Sequence, residues 1–192
     1  MEEKRTSFLK VEIRAKEEES QKYLDAYFIK YNEETELWPG FFEEVAPEAV
    51  VNSLRNNDIV CLFNHIDGVV LGRTSNNTLE LNSDSTGLFG TVEINENDAE
   101  AINIYSRVKR GDITACSFGF QPIEEEFEDR GDGTFKTTIK DMNLIEVSIV
   151  TFPAYPSTEA SARKKDINRF KKEVLNKRKN TLKEKLKLWQ IQ

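Results

Sequence analysis

The chain of 192 residues contains one histidine, His65, so any imidazole acid–base chemistry here belongs to it. A single histidine excludes HExxH zinc hydrolases, His-rich metal centres and relays of paired histidines. Two cysteines, Cys61 and Cys116, are too few for a disulfide framework or a four-ligand zinc site. They suit a reducing cytosol. There is no GxxxxGK[ST] loop and no GxGxxG fingerprint, so nucleotide binding has no support, and neither a cofactor nor a metal is expected. A serine, that histidine and a carboxylate brought together would be one constellation able to do chemistry, with the histidine activating the hydroxyl and the carboxylate orienting the imidazole.

Three segments of strand character would have to position such groups. In Thr114–Phe120 the period of two puts Cys116, Phe118 and Phe120 on one side, and Ala115, Ser117 and Gly119 on the other. The aromatic side reads as core, and Cys116 belongs to it despite its place next to Ser117. The small-residue side lets another group approach the backbone closely, with Ser117 in its middle. In Ile59–His65, the residues Ile59, Cys61, Phe63 and His65 share a face, so His65 ends an apolar row. In Leu144–Val150, Glu146 shares a face with Leu144, Ser148 and Val150, where an unpaired charge would be expensive to bury. On pattern alone each residue also has an ordinary structural reading. These are a hydrogen-bonded histidine at a strand end, a serine that is merely small, and a strand glutamate facing water.

Around these segments the chain reads as β-rich. Phe8–Ile13 and Tyr23–Ile29 are strand-like, separated by a solvated run over Lys16–Ser20, and Asn32–Glu36 reads as a loop. A short helix fits Pro47–Arg55, with Pro early and Val50, Val51 and Leu54 at helical spacing. Asp58–Phe63 has the composition of a buried strand, and Thr78–Leu81 with Gly87–Ile94 alternate as a strand pair. Asp98 caps a helix that buries Ala101, Ile102, Tyr105 and Val108 and stops at Gly111. The turn Arg130-Gly131-Asp132-Gly133 joins two strands into a long hairpin. No apolar run is long enough for a membrane span, and the first twenty residues carry no secretory h-region.

Hydrophobic residues make up 38% and charged residues 32%, a globular balance that excludes wholesale disorder. The net charge is −7, unevenly placed. Residues 161–192 hold 12 Lys and Arg against 3 Asp and Glu, a net +9, which leaves 15 against 31, a net −16, in residues 1–160. The chain therefore reads as an acidic body, residues 1–160, with a basic amphipathic helical tail, residues 161–192. An acidic body is a poor nucleic-acid binder.

Several blocks in order resemble the prohead (procapsid) maturation proteases of tailed phages. They are Asn64-His65 followed by Leu71-Gly72-Arg73-Thr74, then Arg110–Phe120, then Leu144–Ala154. Glu43-Glu44-Val45-Ala46-Pro47 resembles the family's upstream block, with Glu48-Ala49-Val50 departing from its usual Gly-Ala-Phe. Thr78–Leu81 and Gly87-Leu88 match as well, and the resemblance runs from about Tyr23 to Ala160.

The resemblance implies a β-rich α+β fold, a closed antiparallel or mixed β-barrel with surrounding helices, as in the herpesvirus proteases. It implies a serine endopeptidase whose catalytic residues are His65, Ser117 and Glu146. Asp67 and Asp141 are the competing candidates for the third place, and Arg73 is a candidate oxyanion contributor or a structural ion pair. The implied partner is the scaffolding region of the major capsid protein, or a separate scaffold, with cleavage of the protease itself. The setting is the assembling procapsid in the host cytoplasm. A homodimer is compatible with this reading, whereas a membrane partner is not expected. The rival readings are a catalytically silent scaffold-binding or capsid-assembly protein with the same fold, and nucleic-acid binding through the basic tail.

Overall fold

The computed structural model describes residues 4–9, 13–18 and 20–152, and beyond these only positions 172 and 179. The expected basic tail, 161–192, otherwise lies outside the described residues. Among the described residues the strands are β1 (Arg5–Leu9), β2 (Ile13–Glu18), β3 (Gln21–Lys30), β4 (Thr35–Trp38), β5 (Phe41–Val45), β6 (Val60–Phe63), β7 (Ile66–Arg73), β8 (Leu79–Ser83), β9 (Gly87–Glu93), β10 (Ala115–Asp129) and β11 (Phe135–Val150). Between residues 4 and 152 the helices are α1 (Val51–Asn56), entered through a 3-10 turn at Pro47–Val50, and α2 (Ala99–Arg110), with a further 3-10 turn at Thr74–Asn76.

The long hairpin organises the larger sheet. Gly131 and Gly133 take φ of 79° and 93° in its turn, a region that glycine enters without strain. Asp129 and Asp132 accept the amides of Gly131 and Thr134, both at 2.9 Å. The side chains thus close the turn before the strands pair. β10 lies antiparallel between β1 and β11, and β11 takes two further strands parallel on its other edge. β5 runs beside 135–139 and β6 beside 146–149, while β4 and β7 fold back on them. The smaller sheet is antiparallel in the order β2-β3-β9-β8.

One core joins the two sheets. Leu24, Phe28 and Ile29 of β3 and Leu88 and Val92 of β9 belong to the same buried cluster as Phe118, Phe120, Leu144, Val147 and Ile149. Helix α2 begins at Asp98, whose carboxylate accepts the Glu100 amide at 2.9 Å, and ends at Gly111 with φ 86°, as its sequence requires. It buries Ala101, Ile104, Tyr105 and Val108. Ile102, expected inward, is only partly buried at the margin of the core.

Three expectations are corrected. The described strands form two sheets rather than one closed barrel, because no ladder joins the edges of one sheet to the edges of the other. The solvated run that begins at Lys16 does not simply separate two strands: β2 extends to Glu18 in register with β3, and Lys16 pairs with Asp25 at 3.2 Å. Charged residues tolerate an edge strand, where they also discourage pairing with other chains. Asn32–Glu36 is not a loop throughout, because β4 begins at Thr35. Among the described residues no helix is long and apolar enough to cross a membrane.

Candidate active site

His65 is placed by a turn, not by a strand. β6 stops at Phe63, which pairs with Ile66 across two residues, Asn64 and His65. Both take left-handed φ, 52° and 59°, as the central residues of a type I′ hairpin turn must. Asparagine is at home there, but histidine occupies the place where glycine usually relieves the strain. Asn64 fastens the turn to the end of β11. Its amide donates to the Ile149 carbonyl at 2.9 Å, and its side-chain oxygen accepts the Thr151 amide at 2.9 Å. His65 therefore does not continue the apolar row of Ile59, Cys61 and Phe63. It leaves the strand and reaches across the outer face of the sheet.

Glu146 meets it there. The β10–β11 register slips where Gly119 pairs with Glu146 but Phe120 pairs with Leu144, leaving Ile145 as an extra residue. Such a bulge reverses the alternation of the strand. Leu144 consequently faces the core with Val147 and Ile149, while Glu146 and Ser148 face outward opposite Gly119 and Ser117. The expected shared face of Leu144 and Glu146 is thus corrected by one bulge.

The Glu146 carboxylate is fully buried and has three partners. Oε1 lies 2.7 Å from His65 Nδ1 and 3.4 Å from Lys4 Nζ, and Oε2 accepts the Ser148 hydroxyl at 2.6 Å. Burial by itself pushes the carboxyl up, but the His65 bond and charge, the Ser148 bond and the Lys4 charge outweigh it, and the net shift is downward. A charge removed from water is held by compensating bonds. Gly119 makes room for it: a Cβ there would collide with Glu146 Oε1 and stand 2.5 Å from Lys4 Cε.

His65 Nε2 is buried and has no hydrogen-bond partner among the described residues. Ser117 is fully buried. Its hydroxyl donates to the Ser7 carbonyl of β1 at 2.8 Å. The structure therefore brings His65 and Glu146 together and sets Ser117 on the same face, but it does not hydrogen-bond Ser117 to the imidazole.

The competing groups are occupied elsewhere or lie apart. Asp141 accepts Asn52 at 3.0 Å, and Asp67 is exposed on β7. Arg73 is bound to Asp58, with its Nη2 2.7 Å from Oδ2; the Arg73 bond holds the Asp58 carboxyl at about 2. Burial drives the Cys116 thiol far above its ordinary value, with the neighbouring Cys61 adding to the rise, so neither its face nor its ionisation suits a nucleophile. Among the described residues no group of acidic, histidine or cysteine side chains is arranged to hold a metal ion. Sequence reasoning assigned no role to Lys4 or to the Ser7 carbonyl. Ser148 carried a signal, since it follows Glu146 by two residues on one face.

Residues 9–173 match the caudovirus prohead serine protease family, and the chain belongs to that family. It is 32% identical to the prohead protease of Escherichia phage T5 over 105 residues, which make up 55% of this chain and 45% of that protein. The chain thus spans less than half the length of this curated relative. The solved structure of the bacteriophage T4 capsid assembly protease is similar with a TM-score of 0.48 at 11% identity, over 77% of this chain and 99% of that one.

Proposed function

We propose that this chain is a serine endopeptidase of phage capsid maturation in which Ser117 is the nucleophile, His65 the general base and acid, and Glu146 the orienting carboxylate. One observation carries the reading. The sole imidazole has Nδ1 on a buried carboxylate and a buried, unpartnered Nε2, on the sheet face that also bears a buried serine hydroxyl. A Nδ1–H donor to Glu146 leaves Nε2 with its lone pair, the tautomer a base needs.

Rotation of Ser117 off the Ser7 carbonyl would free its hydroxyl for Nε2. Ser117 Oγ then attacks the scissile carbonyl while His65 takes its proton, and the imidazolium formed is stabilised by Glu146. His65 returns the proton to the leaving amine, and water repeats the sequence on the acyl-enzyme. Preorganised oxyanion donors contribute about 10²–10³ in such reactions. Arg73, held by Asp58, is assigned no part in that. The substrate in this reading is the scaffolding region of the major capsid protein, or a separate scaffold, together with the chain itself, inside the assembling procapsid.

The Ser117–Ser7 hydrogen bond favours the second reading, a silent capsid-assembly protein with the same fold. Co-expression with the capsid and scaffold proteins of the same phage, read by intact-protein mass spectrometry, separates the two. Discrete truncation with the native chain and none with Ser117→Ala is the expected result. Intact partners with the native chain would support the silent protein, and cleavage at the native rate by Ser117→Ala would remove Ser117 from the mechanism.

A further inference from the structure

We propose that Ser148 is a positioning residue of this site: its hydroxyl clamps the outer oxygen of Glu146 and thereby fixes the edge of the carboxylate on which His65 rests. The inference rests on the catalytic reading above and adds a fourth residue to it.

Ser148 is fully buried and lies directly across the β10–β11 ladder from Ser117. Its hydroxyl donates to Glu146 Oε2 at 2.6 Å and stands 3.3 Å from His65 Nδ1. The two carboxylate oxygens are thus divided, Oε1 for His65 and Lys4 and Oε2 for Ser148. The terminal torsion of a glutamate is broad and roughly two-fold, so a carboxylate held at one oxygen alone can turn beneath the ring. A donor on the second oxygen removes that freedom. It also satisfies a buried acceptor that would otherwise be left without one.

The remaining outward positions nearby are Val60 and Leu62 of β6, Ala115 of β10 and Val150 of β11. A hydroxyl in that apolar setting needs a polar reason, and the carboxylate supplies it. Ser148 is not itself arranged as a nucleophile. Its proton is given to Glu146, and the imidazole nitrogen near it is the one already bonded to Oε1. The Ile145 bulge produces the arrangement by turning Glu146 and Ser148 outward together.

The test uses Ser148→Ala and Ser148→Cys, the second keeping the volume but replacing a strong donor by a weak one. Kinetics are measured on the capsid-protein segment cleaved in co-expression. A fall in kcat of about 10- to 100-fold with KM unchanged is expected, the range for outer partners that orient site groups. In a Glu146→Gln background the same changes should have almost no further effect, because the hydroxyl acts through that carboxylate. A second readout needs no activity. With one histidine in the chain, the downfield imidazole Nδ1–H signal is unambiguous. In the Ser117→Ala protein it should move upfield or vanish through exchange once Ser148 is replaced. An unchanged kcat, an equal loss in the Glu146→Gln background, or an unmoved imidazole signal would each overturn the proposal. If Ser117→Ala itself still cleaves, the catalytic reading fails, yet the imidazole signal still reports whether Ser148 holds the Glu146–His65 pair.

Discussion

Glu146 is the residue on which the local energetics turn. A buried carboxylate stripped of its partners is among the more destabilising single defects, of the order of 3–5 kcal/mol, and here three side chains prevent it. Its pH dependence follows from the direction of its shift. The folded-state value lies below the ordinary 4.5, so its contribution to stability is fully present above 4.5 and is lost as the pH falls through the lower folded value. Glu146→Gln removes this titration. Urea unfolding at pH 7, 5 and 3 should show the advantage of the native chain over the variant shrinking toward pH 3. A constant gap would mean that folding does not shift the titration of this carboxyl. Activity should fall by about 10²–10⁴-fold at pH 7, since an amide no longer stabilises the imidazolium or enforces the tautomer. Ser117→Ala should differ in kind. It removes one hydroxyl hydrogen bond to Ser7 and should change stability by only about 1 kcal/mol, while proteolysis is abolished.

At the scale of elements, the site is made by three departures from regular strand geometry. The type I′ turn at Asn64-His65 swings the imidazole off β6, the Ile145 bulge turns Glu146 outward, and Gly119 leaves the space into which the carboxylate fits. Strain and bulges of this kind concentrate where function selects a geometry. Gly119→Ala tests the third directly. The new Cβ meets Glu146 Oε1, which cannot retreat without releasing His65 or Ser148. We expect a loss of about 1–3 kcal/mol from overpacking and about 100-fold in kcat from the displaced pair, read by urea midpoint and steady-state kinetics. Native activity would show that the carboxylate position is not critical. On the other face of the same strand, Phe118→Ala should destabilise by about 3–5 kcal/mol, as for any buried aromatic, and unfold before it informs on chemistry.

For the whole molecule, charge is the organising feature. A body of net −16 and a C-terminal stretch of net +9 invite separate roles. We propose that the stretch after about residue 160 is dispensable for folding of the body and needed for recruitment to the procapsid. Because the family match continues to residue 173, chains ending at 160 and at 173 should be compared. Cooperative urea unfolding retained in both, with loss of co-sedimentation with procapsids, is the expected result. Loss of cooperativity in either would place that stretch in the core.

Much of this protein was legible in one dimension because it depends on local periodicity. The aromatic face of Cys116, Phe118 and Phe120, the capped helix Ala99–Arg110, the hairpin turn at Gly131 and Gly133 and the strand pair β8–β9 all follow from spacing and turn chemistry that act within a few residues. The single histidine likewise fixed in advance which imidazole any acid–base chemistry would use. Other features were decided only in three dimensions. Whether β5 and β7 are strands depends on β11 and β6 offering them a free edge, since Phe41–Val45 and Ile66–Arg73 have no clean alternation of their own. The face on which Glu146 lies is set by a bulge whose cause is register with β10, and a one-residue slip is invisible to any pattern read along a single strand. The meeting of His65, Glu146 and Ser148, with Lys4 at the rim, joins parts of the chain more than eighty residues apart. No local rule reaches that far, because the bond between Nδ1 and Oε1 exists only once the core has packed and the carboxylate has nowhere else to be satisfied.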